Sequence, residues 1–194
     1  MSQSLQINIS GEKLITFLVD DFLDLAQVRE GLFCRIDKNF EVHKPIEEVI
    51  SILDFKAKHK FITVKTHIMG LGPGQLVRCD ERRLTQVLMN LLSNALKFTP
   101  VAGLIDLSIK LIPGLLNCGS ASELNSIEQS SDSLRMHPRL SSYHDDADML
   151  EVAITDNGTG IKEEDMPKIF EKFGKLKENR EINTRGIGLG LHIC

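Results

Sequence analysis

The sequence predicts an α/β protein preceded by one long helix, and three observations predict it. Residues 12–29 and 81–98 run without glycine or proline and place apolar residues on one helical side, as does 44–58 with its early proline. Between and after them lie runs that are rich in β-branched residues or alternate in polarity, and glycine and proline punctuate the joints.

Taken in order, 12–29 (EKLITFLVDDFLDLAQVR) spaces Ile15, Leu18, Phe22 and Leu25 three, four and three apart, and Gly31 ends the stretch. Two heptads fit either a single amphipathic helix lying on a core or a helix of a bundle. Residues 32–42 look extended. Lys44 to Lys58 reads as a helix with Pro45 in its first turn and Ile46, Val49, Ile50 and Leu53 inward. FITVKTHI is a strand, Gly70 to Gly74 a turn, and Leu76 to Cys79 a short strand. Asp80 caps the helix ERRLTQVLMNLLSNALKF, with Leu84, Val87, Leu88, Leu91, Leu92 and Ala95 inward and Pro100 beyond its end. Residues 103–112 alternate as a strand. From 113 to 148, eight serines and six acidic residues without periodicity predict a flexible insertion. MLEVAIT is a strand running into DNGTGI, and an acidic short helix (EEDMPKIFEKF), a polar stretch from Gly174 to Arg185 and GIGLGLHIC complete the chain.

Composition narrows the classes. The 194 residues, 42% hydrophobic and 26% charged, suit one domain with a short attachment and exclude two complete enzymatic domains. The 23 Lys and Arg are scattered against 27 Asp and Glu, a formal charge of −4, so nucleic acid is not an expected partner. No run approaches the roughly 18 apolar residues of a membrane span, and MSQSLQINISGEK lacks the plan of a signal peptide, which makes a cytoplasmic location the expectation. Cys34, Cys79, Cys118 and Cys194 are far apart and form no metal-ligand or CxxC pattern, favouring plain thiols.

Three motifs carry chemistry. Asn90 and Asn94 stack on one helix face with Lys97 a turn further on. An amide oxygen suits Mg²⁺, although asparagines in a helix are more often surface groups. Asp156-Asn157-Gly158-Thr159-Gly160 follows a strand directly; its carboxylate can accept from a purine amine, or the segment is a plain turn. Gly186, Gly188 and Gly190 alternate where a helix should start, an arrangement that suits a phosphate cradle or a hinge. Neither the P-loop nor the dinucleotide-fold pattern is present.

In this order the motifs resemble the ATP-binding domain of sensor and hybrid histidine kinases and the wider Bergerat-fold ATPases. NLLSNALKFT is similar to the N box, DNGTGI to the first glycine box, IFEKFGK to the F box and GIGLGL to the second glycine box. The resemblance implies a two-layer sandwich of a mixed sheet with helices on one face. It implies that residues 31–194 form the ATP-binding domain, interrupted at 113–148, and that residues 1–30 are the second helix of a dimerisation hairpin. It implies ATP and Mg²⁺ as cofactors: Asn94 on the metal, Asn90 and Lys97 at the phosphates, Asp156 on the adenine amine, and Gly158 and Gly160 shaping its pocket. Gly186, Gly188 and Gly190 would cradle the phosphates, and Phe170 and Phe173 would pack under a lid at 174–185. Implied partners are a histidine-bearing helical hairpin in cis or trans, a response-regulator receiver domain, and a second copy through the N-terminal helix. The chain could then be the cytosolic part of a membrane-bound sensor.

The resemblance also has gaps. Hydrolytic members of the superfamily carry a Glu where Asn90 stands, and an amide cannot serve as their general base. None of His43, His59, His67, His137, His144 and His192 lies in the His-Glu-Leu-Arg-Thr-Pro acceptor context, so autophosphorylation by this chain alone is not expected. Ile187 stands where a hydroxyl residue is frequent, and the family's last helix and strands would extend past Cys194. The function expected is an ATP-binding kinase core in phosphorelay signalling; the alternative is a non-catalytic ATP-binding module that docks on a kinase or another helical partner.

Overall fold

The computed structural model describes residues 12, 16, 19–20, 22–24, 26–32, 34–72, 74–114, 148–170 and 190–194. Its elements are β1 (Lys38–Glu41), α1 (His43–His59), β2 (Thr63–Met69), β3 (Leu76–Cys79), α2 (Glu81–Phe98), β4 (Leu104–Ile112), β5 (Met149–Asp156), a 3₁₀ helix (Glu163–Lys168) and α3 (Gly190–Ile193). This is the α/β class that the sequence predicts. Ahead of β1 the backbone is helical at every described position from Glu12 to Arg29; Ile15, Leu18 and Leu25 of the seam lie outside the described residues.

The strands form two sheets: β1 pairs antiparallel with β3, and a second sheet is ordered β2–β4–β5. The Thr63 N–H donates to the Gly103 carbonyl (3.0 Å), and the Asn157 N–H donates to the Leu104 carbonyl (3.3 Å). β2 therefore starts where β4 starts, β5 ends there, and the sheet is mixed.

The chain forms two compact units. The first, Met1–Lys65 with Gly74–Asp106 and Ile154–Cys194, holds α1 and α2. α1 buries Ile46, Val49, Ile52 and Leu53, and α2 buries Leu88, Met89, Leu92, Ala95 and Leu96. Truncating a leucine buried as deeply as Leu88 to alanine costs about 2–5 kcal/mol. In the second unit, Thr66–Pro73 with Leu107–Ala153, Leu107 and Ile109 are buried at alternate positions of β4. There Gly70 holds φ +72 with its open side 3.1 Å from the Leu111 carbonyl, and the Gly114 N–H donates to Asp148 Oδ1 (3.0 Å).

Several expectations shift. Among the described residues of the extended stretch at 32–42, a strand forms at Lys38–Glu41. The acidic helix is a 3₁₀ segment over Glu163–Lys168, with Pro167, which has no N–H to give, inside it. Leu84, Val87, Leu91 and Ile50 are half-buried rather than inward, and Gln86 and Thr85 are buried instead. Gln86 can be buried because its amide donates to Asp24 Oδ2 (2.9 Å) and accepts from Arg83 (3.0 Å); Thr85 donates to the Glu81 carbonyl (2.8 Å). Asp24 is fully buried and also pairs with Arg83 and with Arg82 (3.4 Å), so this carboxylate ties the N-terminal helix to α2, while Phe22 is 64% exposed. Such partners offset the cost of taking a carboxylate and its guanidinium neighbours out of water.

Candidate functional site

The site is organised along α2. Asp80 opens the helix by accepting the Arg83 N–H (3.2 Å), and Glu81 adds negative charge to the first turn. Eighteen residues later Thr99 turns extended, the conformation expected ahead of Pro100. Asn90, Asn94 and Lys97 are all half-buried on this helix. The Asn90 amide donates to the Gly190 carbonyl (3.3 Å), which brings the third glycine of the alternating run to the helix that bears Asn90 and Asn94. Among the described residues the Asn94 amide makes no hydrogen bond, and the Lys97 ammonium lies 5.1 Å from the Phe98 ring centre.

The strand-end motif is seated on the far end of the same helix. Asp156 closes β5, and its Oδ1 accepts the Gly158 N–H (2.9 Å), a side-chain turn that holds the carboxylate over the following backbone. A Cβ at Gly158 would stand 2.8 Å from the Phe98 carbonyl oxygen and 2.6 Å from Asp156 Oδ1, so only glycine fits. Gly160 holds φ +68 facing open space. Asn157, inside the motif but without a predicted role, bridges to β4: its N–H donates to the Leu104 carbonyl and its Oδ1 accepts the Leu104 N–H (2.8 Å). Gly103 completes this seat, since a Cβ there would be 2.3 Å from Thr99 Cγ2 and 2.8 Å from Asn157 Oδ1.

Asn90, Gly190, Asp156 and Gly158 are thus gathered on the two ends of one helix stretch that also carries Asn94 and Lys97. Phe170 is 58% exposed and contributes through its backbone, whose carbonyl accepts from His192 Nδ1 (2.8 Å) on α3. Phe173, Gly186, Gly188 and the stretch at 174–185 lie outside the described residues, as does Cys118. Among the described residues Cys34, Cys79 and Cys194 form no disulfide, and the Cys194 thiol donates to the Gly190 carbonyl (3.1 Å). Burial pushes the Cys79 thiol up from its ordinary pKa, burial pulls the Lys56 ammonium down, and the Arg35 hydrogen bond holds Asp37 below the usual carboxylate range. None of these three groups belongs to the site.

Among the described residues no group of three or more His, Cys, Asp or Glu is placed to hold a metal ion, and no helix is long and apolar enough to cross a membrane. A cleft of about 230 Å³ between α1 and α2 is lined by Ile50, Leu53, Leu92 and Leu96 with Asp54 and Lys58; none of the motif residues lines it.

Comparison with known proteins bears on the same residues. Residues 79–194 match the family of histidine kinase-, DNA gyrase B- and HSP90-like ATPases. The chain is 31% identical over 186 residues to hybrid signal transduction histidine kinase D of Dictyostelium discoideum, covering 91% of the chain and 11% of that protein. It is 26% identical over 188 residues to the non-motile and phage-resistance protein of Caulobacter vibrioides, covering 97% of the chain and 18% of the relative. The chain therefore spans under a fifth of the length of these relatives. Its fold is similar to that of full-length ShkA, solved with AMPPNP (TM-score 0.58, 23% identity, 95% of this chain and 30% of that one). The nucleotide-free catalytic domain of histidine kinase ThkA is also similar (TM-score 0.53, 24% identity, 82% and 77%).

Proposed function

The chain belongs to the histidine kinase-, DNA gyrase B- and HSP90-like ATPase family as an ATP-binding domain of the histidine kinase kind, and from that premise we propose that it binds Mg²⁺-ATP along α2 for phosphoryl transfer to a histidine on a helical hairpin, in cis or in trans. The observation that carries the reading is the seat of the Asp156–Gly158 turn on the last turn of the helix that bears Asn90, Asn94 and Lys97. A carboxylate and a bare glycine suit a purine amine at one end, and amides with a cation suit phosphate along the rest.

The residues present fit both groups. Gly158 leaves room where any Cβ would meet backbone, which is what the close approach of a flat base requires. Asn94 would give Mg²⁺ one neutral oxygen, and this metal otherwise keeps water and phosphate oxygens. Asn90, Lys97 and Gly190, with Gly186 and Gly188, would hold the phosphates, and Gly160, Phe170 and Phe173 would border the base and the segment that follows. When bound, Mg²⁺-ATP supplies the phosphoryl group. The chain's own part is to orient it and offset its charge, because Asn90 cannot accept a proton from water as a general base would.

Residues 1–30 then read as the trailing helix of a dimerisation hairpin and 31–194 as the ATP-binding domain, with 113–148 inserted. The receiver domain, the pairing of two copies and a place in a phosphorelay belong to the same proposal. A non-catalytic ATP-binding module that docks on a kinase or another helical partner is the second reading. Incubating the chain with γ-labelled ATP, Mg²⁺ and a hairpin bearing the acceptor histidine separates the two. Label on the hairpin supports the kinase core, binding without transfer supports the module, and no binding contradicts both.

A further inference from the structure

The C-terminal end of α2 bears two elements of the proposed nucleotide site, the base of the Lys97 side chain and the backbone beneath Gly158. Helix ends are where carbonyls run out of internal partners. Here one residue from elsewhere in the chain collects them: Lys60 Nζ donates to the carbonyls of Leu96 (2.8 Å), Lys97 (3.0 Å) and Thr99 (2.9 Å). An ammonium has three N–H donors and no acceptor, so the set is complete, and its charge stands at the negative end of the helix dipole.

The backbone around Lys60 is tied down on both sides. α1 ends with the Phe61 N–H on the Lys58 carbonyl (3.0 Å) and the Ile62 N–H on the Ala57 carbonyl (2.9 Å), the paired bonds of a Schellman turn, which places Phe61 at φ +54. A bulky aromatic rarely occupies that region, and the Phe61 ring is 75% exposed, so burial of the ring does not explain it. The Lys60 carbonyl in turn accepts the Ala102 N–H (2.9 Å), and Ala102 also has a positive φ of 60°. What this turn delivers is the direction of the Lys60 side chain.

We infer that Lys60 is a positioning residue for nucleotide binding: its ammonium fixes the last turn of α2, and through that turn the root of Lys97 and the seat of the Asp156–Gly158 motif. The inference rests on the reading of Lys97, Asp156 and Gly158 as nucleotide groups. Lys60 acts through α2 and does not itself touch the ligand.

The test titrates AMPPNP with Mg²⁺ into the full chain and into Lys60→Met, Lys60→Arg and Val49→Ala, each well below its unfolding midpoint. Lys60→Met should weaken Kd roughly tenfold and move the amide resonances of Gly158 and Thr99 while leaving those of Phe40 and Val77 in place. Lys60→Arg, whose fork reaches two of the three carbonyls, should recover most of the affinity. Val49→Ala, a cavity in the fully buried part of α1, should lower the midpoint without changing Kd. If Lys60→Met does not fold, Lys60→Gln is read in its place with the same expectation. Unchanged affinity in the Lys60 variant, or equal weakening in Val49→Ala, overturns the inference alone. No binding by the unsubstituted chain overturns the nucleotide reading, and this inference with it.

Discussion

The two ends of the functional stretch of α2 are built differently. At the C-terminal end the Asp156–Gly158 turn rests on backbone: the Phe98 carbonyl lies under Gly158, Asn157 is bonded twice to Leu104, and Lys60 holds three carbonyls. Eight residues earlier, about 12 Å along the helix, Asn90 meets Gly190 through a single 3.3 Å bond from the tip of a side chain. Backbone cannot step aside, whereas an amide can rotate. The end proposed to take the base is therefore a preformed shape and the end proposed to take the phosphates an adjustable one, a division that would suit a rigid ring at one end of a nucleotide and a flexible, charged chain at the other.

Four substitutions test that contrast, in falling order of effect. Gly158→Ala drives a Cβ to 2.8 Å from the Phe98 carbonyl oxygen and should weaken AMPPNP binding at least about a hundredfold by calorimetry. Retained affinity would mean that the seat is not rigid. Gly103→Ala brings a Cβ to 2.3 Å from Thr99 Cγ2, and overpacking of this kind should cost about 1–3 kcal/mol in chemical denaturation. Thr99→Val removes a buried hydroxyl that has no hydrogen-bond partner among the described residues, so stability should rise by about 1 kcal/mol, and a fall of that size would show that the hydroxyl is bonded in solution. Gly190→Ala creates a nominal 2.8 Å contact as short as that at Gly158, but with Asn90 Oδ1, which can turn away. Its effect on Kd should stay within about threefold; a loss like that of Gly158→Ala would erase the distinction between the ends.

How much of this was legible in the sequence follows from how far apart the partners are. The bounds of α2 were readable because Asp80 and Pro100 are local signals, and the N-box spacing lies within one helix. The glycine boxes were readable as motifs, and the resemblance supplied their roles. The buried face of α2 was misjudged where Gln86 is buried, because its partner Asp24 is 62 residues away and polar burial leaves no periodic trace. Lys60 gave no sign for the same reason: its carbonyls come 36 to 39 residues later. Asn157 was in view as part of DNGTGI, yet nothing in the motif announces that its side chain would stitch the turn to β4. Local rules thus marked the groups proposed to face a ligand, while the groups that hold them depend on long-range contacts.

The central claim is that Asp156 takes the base and Asn94 the Mg²⁺ of one bound nucleotide. Calorimetric titration of AMPPNP with Mg²⁺ into the chain, Asp156→Ala and Asn94→Ala tests it most directly. Binding by the unsubstituted chain that is lost in both variants is the expected result. Unchanged affinity in both variants would contradict the account.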